Sequence, residues 1–254
     1  MSLAFRVRLF LSHLLISAGV VGALVAVVLL IWYPRPFFTL QGAPFILMIV
    51  VFVDAVIGPL LTSIVASPRK PRRELIRDLA IIGTVQLAAL TYGTHSLFIA
   101  RPAFIVFNAD RFDAVVANEL VENPALPYRN PSFKTAPVLQ PVWVAARPPD
   151  SVQERNELLF SAVQGGPDIK DIPALYEDWP PAGGIEPRRL KPLSELMATS
   201  TEGKRAGERG MRLSGLAEND LVYVPLVGRE LTGVVILNRR TLAVVYASDA
   251  TPKY

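Results

Sequence analysis

The sequence predicts a membrane α-helical bundle of three transmembrane helices, N-terminus inside, followed by an external α+β domain with an antiparallel sheet. Three observations predict it. Of the 254 residues, 51% are hydrophobic, and the mean hydropathy of +0.36 is high for a wholly soluble chain. The apolar residues gather in long runs up to about Ile99. From Arg101 the chain turns polar and takes most of its 22 prolines. The basic residues of the first half cluster between the second and third runs. These boundaries give a membrane domain over 1–100 and a second domain over 101–254, both within ordinary domain sizes.

Composition excludes several chemistries. Cysteine is absent, which removes disulfides, thiolate-bound zinc, iron–sulfur clusters and thiol catalysis. The two histidines, His13 and His95, fall near opposite ends of their helices, so no metal or other cofactor is expected. The net charge of +4 is small, and its meaning lies in its placement.

The first apolar run, Leu9 to Trp32, follows Arg6 and Arg8. It exceeds the 7–15 apolar residues of a signal peptide. It ends in Ile31-Trp32-Tyr33-Pro34, an interfacial aromatic belt, and reads as an uncleaved span. Ala18, Gly22 and Ala26 recur every four residues. Such a stripe admits a second helix at close range, either the other spans or a partner's helix. Arg35 to Ala43 is a short link.

The second run, Phe45 to Ala66, is long enough to cross a ~30 Å hydrocarbon core. Its only charge, Asp54, costs roughly 2.5–3.5 kcal/mol at mid-bilayer. Pro59, after Gly58, removes a helix hydrogen bond and bends the segment. The loop that follows carries Arg69, Lys70, Arg72, Arg73 and Arg77, against Arg35 alone in the first link. By the positive-inside rule this loop and the N-terminus are cytoplasmic. Three spans then put the C-terminal domain outside, which in a Gram-negative inner membrane is the periplasm. A lipid- or nucleic-acid-binding patch is the other reading of this loop. Topology already accounts for it, and no nucleic-acid partner is expected.

The third span, Leu79 to Ile99, contains Gln86, Thr91, Tyr92 and His95. Counting depth from the outer ends places Asp54 level with Ala89, within a turn of Gln86 on one side and Tyr92 on the other. Lipid-facing polar groups are costly, so Asp54 is expected to face this helix. Asp54, Gly58, Pro59, Gln86 and Tyr92 then form an intramembrane polar lock or a contact for a partner's helix. The spans hold no second acid at that depth for an aspartyl protease. No nucleophile–base pair or phosphate loop occurs either, and the run from Gly228 to Gly233 has no following helix pattern. An enzyme is not expected.

Beyond the membrane, Arg101 reads as an interfacial anchor. Phe104–Phe107 reads as a buried strand, Asn108 to Arg111 as a turn, and Phe112–Ala117 as a second strand. Asp110, Arg111 and Asp113 are either a small acidic site or, with Phe112 in the core, a local ion pair. An edge segment is expected within 137–145. A helix capped by Asp150 or Ser151 should run to Val163 and stop at Gly165-Gly166. Helical turns are expected within 167–178, a loop over 180–192, a short helix from Pro192 to Met197, and a mobile loop from Thr199 to Gly210. Asp220–Val227, Leu231–Leu237 and Thr241–Ala247 form an antiparallel meander. Pro225 argues for an edge strand or a bulge there.

Several of these stretches carry a resemblance. They are Phe10-Leu-Ser-His13-Leu-Leu-Ile-Ser17, Trp32-Tyr33-Pro34, Asp54-Ala-Val-Ile-Gly58-Pro59-Leu-Leu-Thr62 and Gln86 to Gly93. Arg101-Pro-Ala103 with Asp110-Arg111-Phe112, and Tyr223-Val-Pro225-Leu-Val-Gly228-Arg229, complete the set. With them the chain resembles the type IV pilin accessory proteins, the Tfp accessory family encoded beside pilin genes. Residues 123–205 have no counterpart in that comparison. The resemblance implies an inner-membrane, chaperone-like factor that assists or modulates assembly of pilin into pili, and hence twitching. It implies the major type IV pilin as partner, through its membrane helix and periplasmic head, in a setting of inner-membrane lipid. The alternative is a membrane-anchored periplasmic sensor or receptor. The short cytoplasmic segments, which encode no output domain, argue against it.

Overall fold

The computed structural model describes residues 2–124 and 126–252. They form two compact units. One contains the chain up to Ile31 and Ala43–Ile99; the other contains Trp32–Gly42 and the chain from Ala100.

The helical unit begins with α1 (Ser2–Val27), which widens into a π-turn over Val28–Trp32. A single turn, α2 (Phe37–Leu40), belongs to the other unit. The next run is α3 (Ala43–Phe52), a π-turn at Val53–Ile57 and α4 (Gly58–Val65). Then comes α5 (Arg72–Ile99). Three helical stretches, Leu3–Trp32, Ala43–Val65 and Arg72–Ile99, are long and apolar enough to cross a membrane. The second run packs against both of the others, α1 meeting α4 and α5 meeting α3 and α4. Its inward side is Leu47, Val50, Asp54, Gly58 and Thr62, facing Ser17 and Val21 on α1 and Gln86 and Leu97 on α5. Outward, Leu15, Leu30, Phe45, Phe52, Ile64 and Val85 are exposed. Apolar surface on this scale marks a helical unit that associates with membrane.

The second unit is an α+β domain. Its strands and helices are β1 (Pro102–Asn108), β2 (Arg111–Val116), β3 (Val142–Ala146), α6 (Val152–Val163), β4 (Tyr176–Asp178), β5 (Lys191–Pro192), α7 (Leu193–Thr199), α8 (Thr201–Ser214), β6 (Leu221–Val227), β7 (Thr232–Asn238) and β8 (Val244–Ser248). One sheet runs β4-β3-β1-β2-β6-β7-β8, with β5 added to β6.

The sheet corrects the expectation of an antiparallel one. β6-β7-β8 is the expected antiparallel meander, but β1 pairs parallel to β3 and β2 parallel to β6. The physical reason is loop length. Tight turns force antiparallel neighbours, whereas the long connections before β3 and before β6 allow a parallel return. β3 is interior too, because β4 pairs beyond it. Pro225 also sits in an interior strand. On the side of β6 away from β7, pairing with β5 ends at Tyr223 and pairing with β2 begins at Leu226. Pro225 therefore falls in the gap between two partners, where a missing N–H is tolerated.

The stretch expected to be a mobile loop at 199–210 is helix α8. Ser200 caps it, accepting from Gly203 N at 2.9 Å, and Gly215 ends it with φ +69. Its inner face is Gly203, Ala206, Gly207 and Gly210. Gly203 and Gly207 bring the helix backbone close to α7 and Gly210 brings it close to Ile236 of the sheet, but these small residues conceal the helical period from a hydrophobicity reading. The cap at Ser151, the end of α6 by Gly165-Gly166 and the turns at Ile169–Asp171 and Pro173–Leu175 match expectation.

Side chains alternate across the strands. Leu221, Tyr223, Val234 and Ile236 meet α7 and α8. Ile105, Phe107, Phe112, Val222, Val224 and Leu226 face the other way. On that second face Phe112 lies 5.2 Å from Trp143 and 4.7 Å from Trp179 between ring centroids. Phe37 and Leu40 of α2 close the same face. The link between the first two apolar helices is thus a core element of the α+β domain.

Candidate functional site

In the helical unit, Asp54 is 5% and Gln86 9% exposed. Gln86 Nε2 donates to Asp54 Oδ1 at 3.3 Å and to the Asp54 main-chain oxygen at 3.2 Å. The local sequence explains the second bond. In the π-turn Gly58 N donates to Val53 O, five residues back. One residue on in that register, the donor to Asp54 O would be residue 59, a proline without an N–H. Gln86 takes that place. Gly58 makes room for it, since a Cβ there would collide with the Gln86 side chain. Asp54, Gly58, Pro59 and Gln86 are therefore one arrangement. Tyr92, grouped with them from the sequence, is 76% exposed and makes no hydrogen bond to Asp54 among the described residues. It lines a neighbouring apolar cavity of about 350 Å³.

A second cavity of about 250 Å³ opens on the other side of Asp54, between His13, Ser17 and Val20 of α1 and Gly83 and Leu87 of α5. Asp54 Oδ2 and Gln86 Oε1 are buried and have no partner among the described residues. Asp54 and Gln86 both line that groove. His13 is tied to Thr62, Nδ1 to Oγ1 at 2.6 Å, and Arg6 Nε donates to Ala66 O at 2.8 Å, which holds α1 to the end of α4. Ala18, Gly22 and Ala26 are exposed. The inward face of α1 is Ser17, Val21 and Val28 instead, so the stripe is not used in packing against the other two helices.

In the α+β domain the motif after α5 is structural. Arg101 is buried, and its Nε and Nη2 donate to Pro137 O at 3.2 and 3.0 Å. Burial lowers its pKa, while the nearby Tyr33 opposes that. Tyr33 is itself buried, and its phenol is held well above its usual range despite Arg101 and Arg229 nearby. Arg111 Nε pairs with Asp113 Oδ1 at 3.2 Å, Phe112 is in the aromatic core and Asp110 is exposed. Burial raises the Asp113 carboxyl above its usual range, and Arg111 works against it. Among the described residues no three His, Asp or Glu side chains are grouped to hold a metal ion.

A second arrangement is invisible in the spacing. Gln41, 8% exposed, donates from Nε2 to Ala114 O at 2.6 Å and accepts at Oε1 from Arg229 N at 3.1 Å. The parallel β2–β6 ladder pairs Phe112 with Leu226 and Asp113 with Val227. Its next rung would join Ala114 C=O to Arg229 N–H. The Gln41 carboxamide stands between those two groups and extends the ladder. Beside it, Leu40 O accepts from Glu230 N at 2.9 Å. A Cβ at Gly228 would strike the Leu40 backbone, and Gly42 has φ +72. The prolines at 34, 36 and 44 and Gly42 were the only sequence signals that this link is an ordered turn.

Comparison with known proteins matches both halves of the chain. Residues 1–42 match the family described as Fimbrial assembly protein FimB. The fimbrial assembly protein of serogroup I from Dichelobacter nodosus is 27% identical over 237 residues, 92% of this chain and 91% of that one. The serogroup E1 protein of the same organism gives the same identity and coverage. The protein of serogroups C1 and C2 is 33% identical over 106 residues, 42% of this chain and 81% of its own length. No solved structure matches. The family match ends with the Leu40–Gly42 turn that closes the α+β core, and the full-length relatives extend it across that core. The chain belongs to the FimB family of fimbrial assembly proteins, in keeping with a type IV pilus accessory protein.

Proposed function

We propose that this protein is a multi-pass inner-membrane accessory factor that assists the assembly of type IV pilin, with its α+β domain in the periplasm. The observation that carries this reading is that relatives named for fimbrial assembly align along 92% of the chain. Helical unit and α+β domain are thus inherited together, and a chaperone-like factor for a membrane-resident pilin has use for both. The apolar helices would meet pilin's membrane helix, and the α+β domain its globular head. The orphaned acceptors Asp54 Oδ2 and Gln86 Oε1 offer a contact for a hydrogen-bond donor on an apolar helix. The role is one of binding, with pilin and lipid as partners, rather than catalysis. Deleting the gene and measuring surface pili, total pilin and crosslinks to pilin tests the proposal. Loss of surface pili with pilin crosslinks in the parent strain is expected. Unchanged piliation with no crosslink would refute it.

A further inference from the structure

The two ends of the sheet are unlike. β4 is three residues long and runs straight into Trp179-Pro180. Short strands and proline are devices that keep a sheet edge from pairing with another chain. β8, at the other end, is Val244-Val-Tyr-Ala-Ser248, with neither proline nor lysine in it; its pairing slips at Val245, and Tyr246–Ser248 stay in regular register with β7.

Two grooves, of about 520 and 530 Å³, meet along β8 and share Arg209, Tyr246, Ser248 and Asp249. One is walled by α8 through Arg205, and α8 covers one face of the sheet. The other adds Arg35, Phe38 and Thr39, from the segment that covers the opposite face. A groove lined by the covers of both faces and by the last strand runs around the sheet edge. Its charge is uneven. Arg35, Arg205 and Arg209 line it against Glu202 and Asp249, and the three arginines form no ion pair among the described residues. The Arg209 guanidinium lies 5.1 Å from the Tyr246 ring centroid, and Asp249 already accepts from Thr39 Oγ1 at 3.2 Å.

We propose that the β8 edge is a docking site for an extended acidic segment of a partner protein. The segment pairs with β8 as a further strand and sets its carboxylates against Arg35 and Arg209. Main-chain pairing supplies affinity in such a mode, and flanking side chains supply selection. A second copy of this chain is the poorer occupant, because twofold pairing of β8 with β8 would bring two sets of unpaired arginines to one seam. This goes beyond the proposed role and does not require the partner to be pilin.

The full chain in detergent micelles is titrated with three labelled hexapeptides, read by fluorescence anisotropy. They are Thr-Glu-Val-Glu-Val-Thr, its lysine counterpart, and the acidic peptide with alternate backbone nitrogens methylated. The acidic peptide is expected to bind at least about ten-fold tighter than the basic one, and N-methylation to abolish binding. Arg35→Glu with Arg209→Glu is expected to weaken the acidic peptide about ten-fold or more at unchanged melting temperature. Equal binding of acidic and basic peptides, equal binding of the methylated form, or no acidic-peptide binding up to millimolar concentration overturns the proposal. So does a disulfide between copies formed by Ala247→Cys, which would make a second copy the occupant.

Discussion

Gln86 Nε2 lies 3.2 Å from the main-chain oxygen of Asp54 and 3.3 Å from its Oδ1, so one carboxamide serves both backbone and side chain of a single residue. The backbone bond follows from Pro59, which has no N–H to offer, and the side-chain bond turns a backbone repair into a tie between helices. The consequences can be measured separately.

Asp54→Asn retains an acceptor at the Oδ1 position and should be mild. Asp54→Leu and Gln86→Leu should each lose roughly 0.6–2 kcal/mol, the range of interhelical hydrogen bonds in membranes. Detergent-resistant folding and cellular protein level are the readouts. Wild-type levels and piliation in all three variants would show that the contact is dispensable.

Gly58→Ala places a methyl group where Gln86 now enters. It should reproduce the loss seen in Gln86→Leu, and the double variant should be little worse than either single one. Additive losses would show that the glycine serves something other than Gln86.

Gln41→Leu leaves the buried Ala114 carbonyl without this partner, at about 1–3 kcal/mol, and frees the part-buried Arg229 N–H to water. Gln41→Glu keeps an acceptor for Arg229 but turns an oxygen toward the Ala114 carbonyl, and should be the worse of the two at neutral pH. Hydrogen exchange at Arg229 and thermal melting of the full chain report the effect. Unchanged protection of Arg229 in Gln41→Leu would dismiss the bridging role.

Asp113 makes stability depend on pH. Burial raises its folded pKa above the usual 3.8, against the pull of Arg111. As pH rises from that usual value through the raised one, the unfolded chain has lost its proton while the folded chain still holds it. Stability therefore falls across that window and levels off above the folded pKa. Asp113→Asn removes this titration. Its stability relative to wild type should improve as pH rises through the window and stay constant above it. The reverse slope would mean that the Arg111 pair outweighs burial.

Much of this was legible in the sequence. Run length and hydropathy located the three apolar helices, and depth counting brought Gln86 to Asp54. Strand signals at Phe104, Phe112 and the C-terminal meander were strong because tight turns and β-branched residues act locally. Tyr92 was not separable from Gln86, because depth along a helix says nothing of the direction around it. The parallel pairings β1–β3 and β2–β6 depend on contacts made across long connections. α8 was hidden because its buried face is Gly203, Ala206, Gly207 and Gly210, which a hydrophobicity reading scores as loop. The role of Gln41 was hidden because a lone glutamine in a short link carries no period at all.

Gln41 and Arg229 are 188 residues apart in the chain. At synthesis rates of ~5–20 residues per second, the 32–42 segment exists for roughly 10–40 s before its receiving turn is made. The first-made piece of the α+β domain thus waits for partners that are made among its last, and a chain without it lacks Phe37 and Leu40 as cover for the aromatic face of Phe112, Trp143 and Trp179. A fragment beginning at Arg101 is held permanently at that unfinished moment. It should aggregate when expressed alone, and a separately supplied peptide spanning 32–42 should return it to solution.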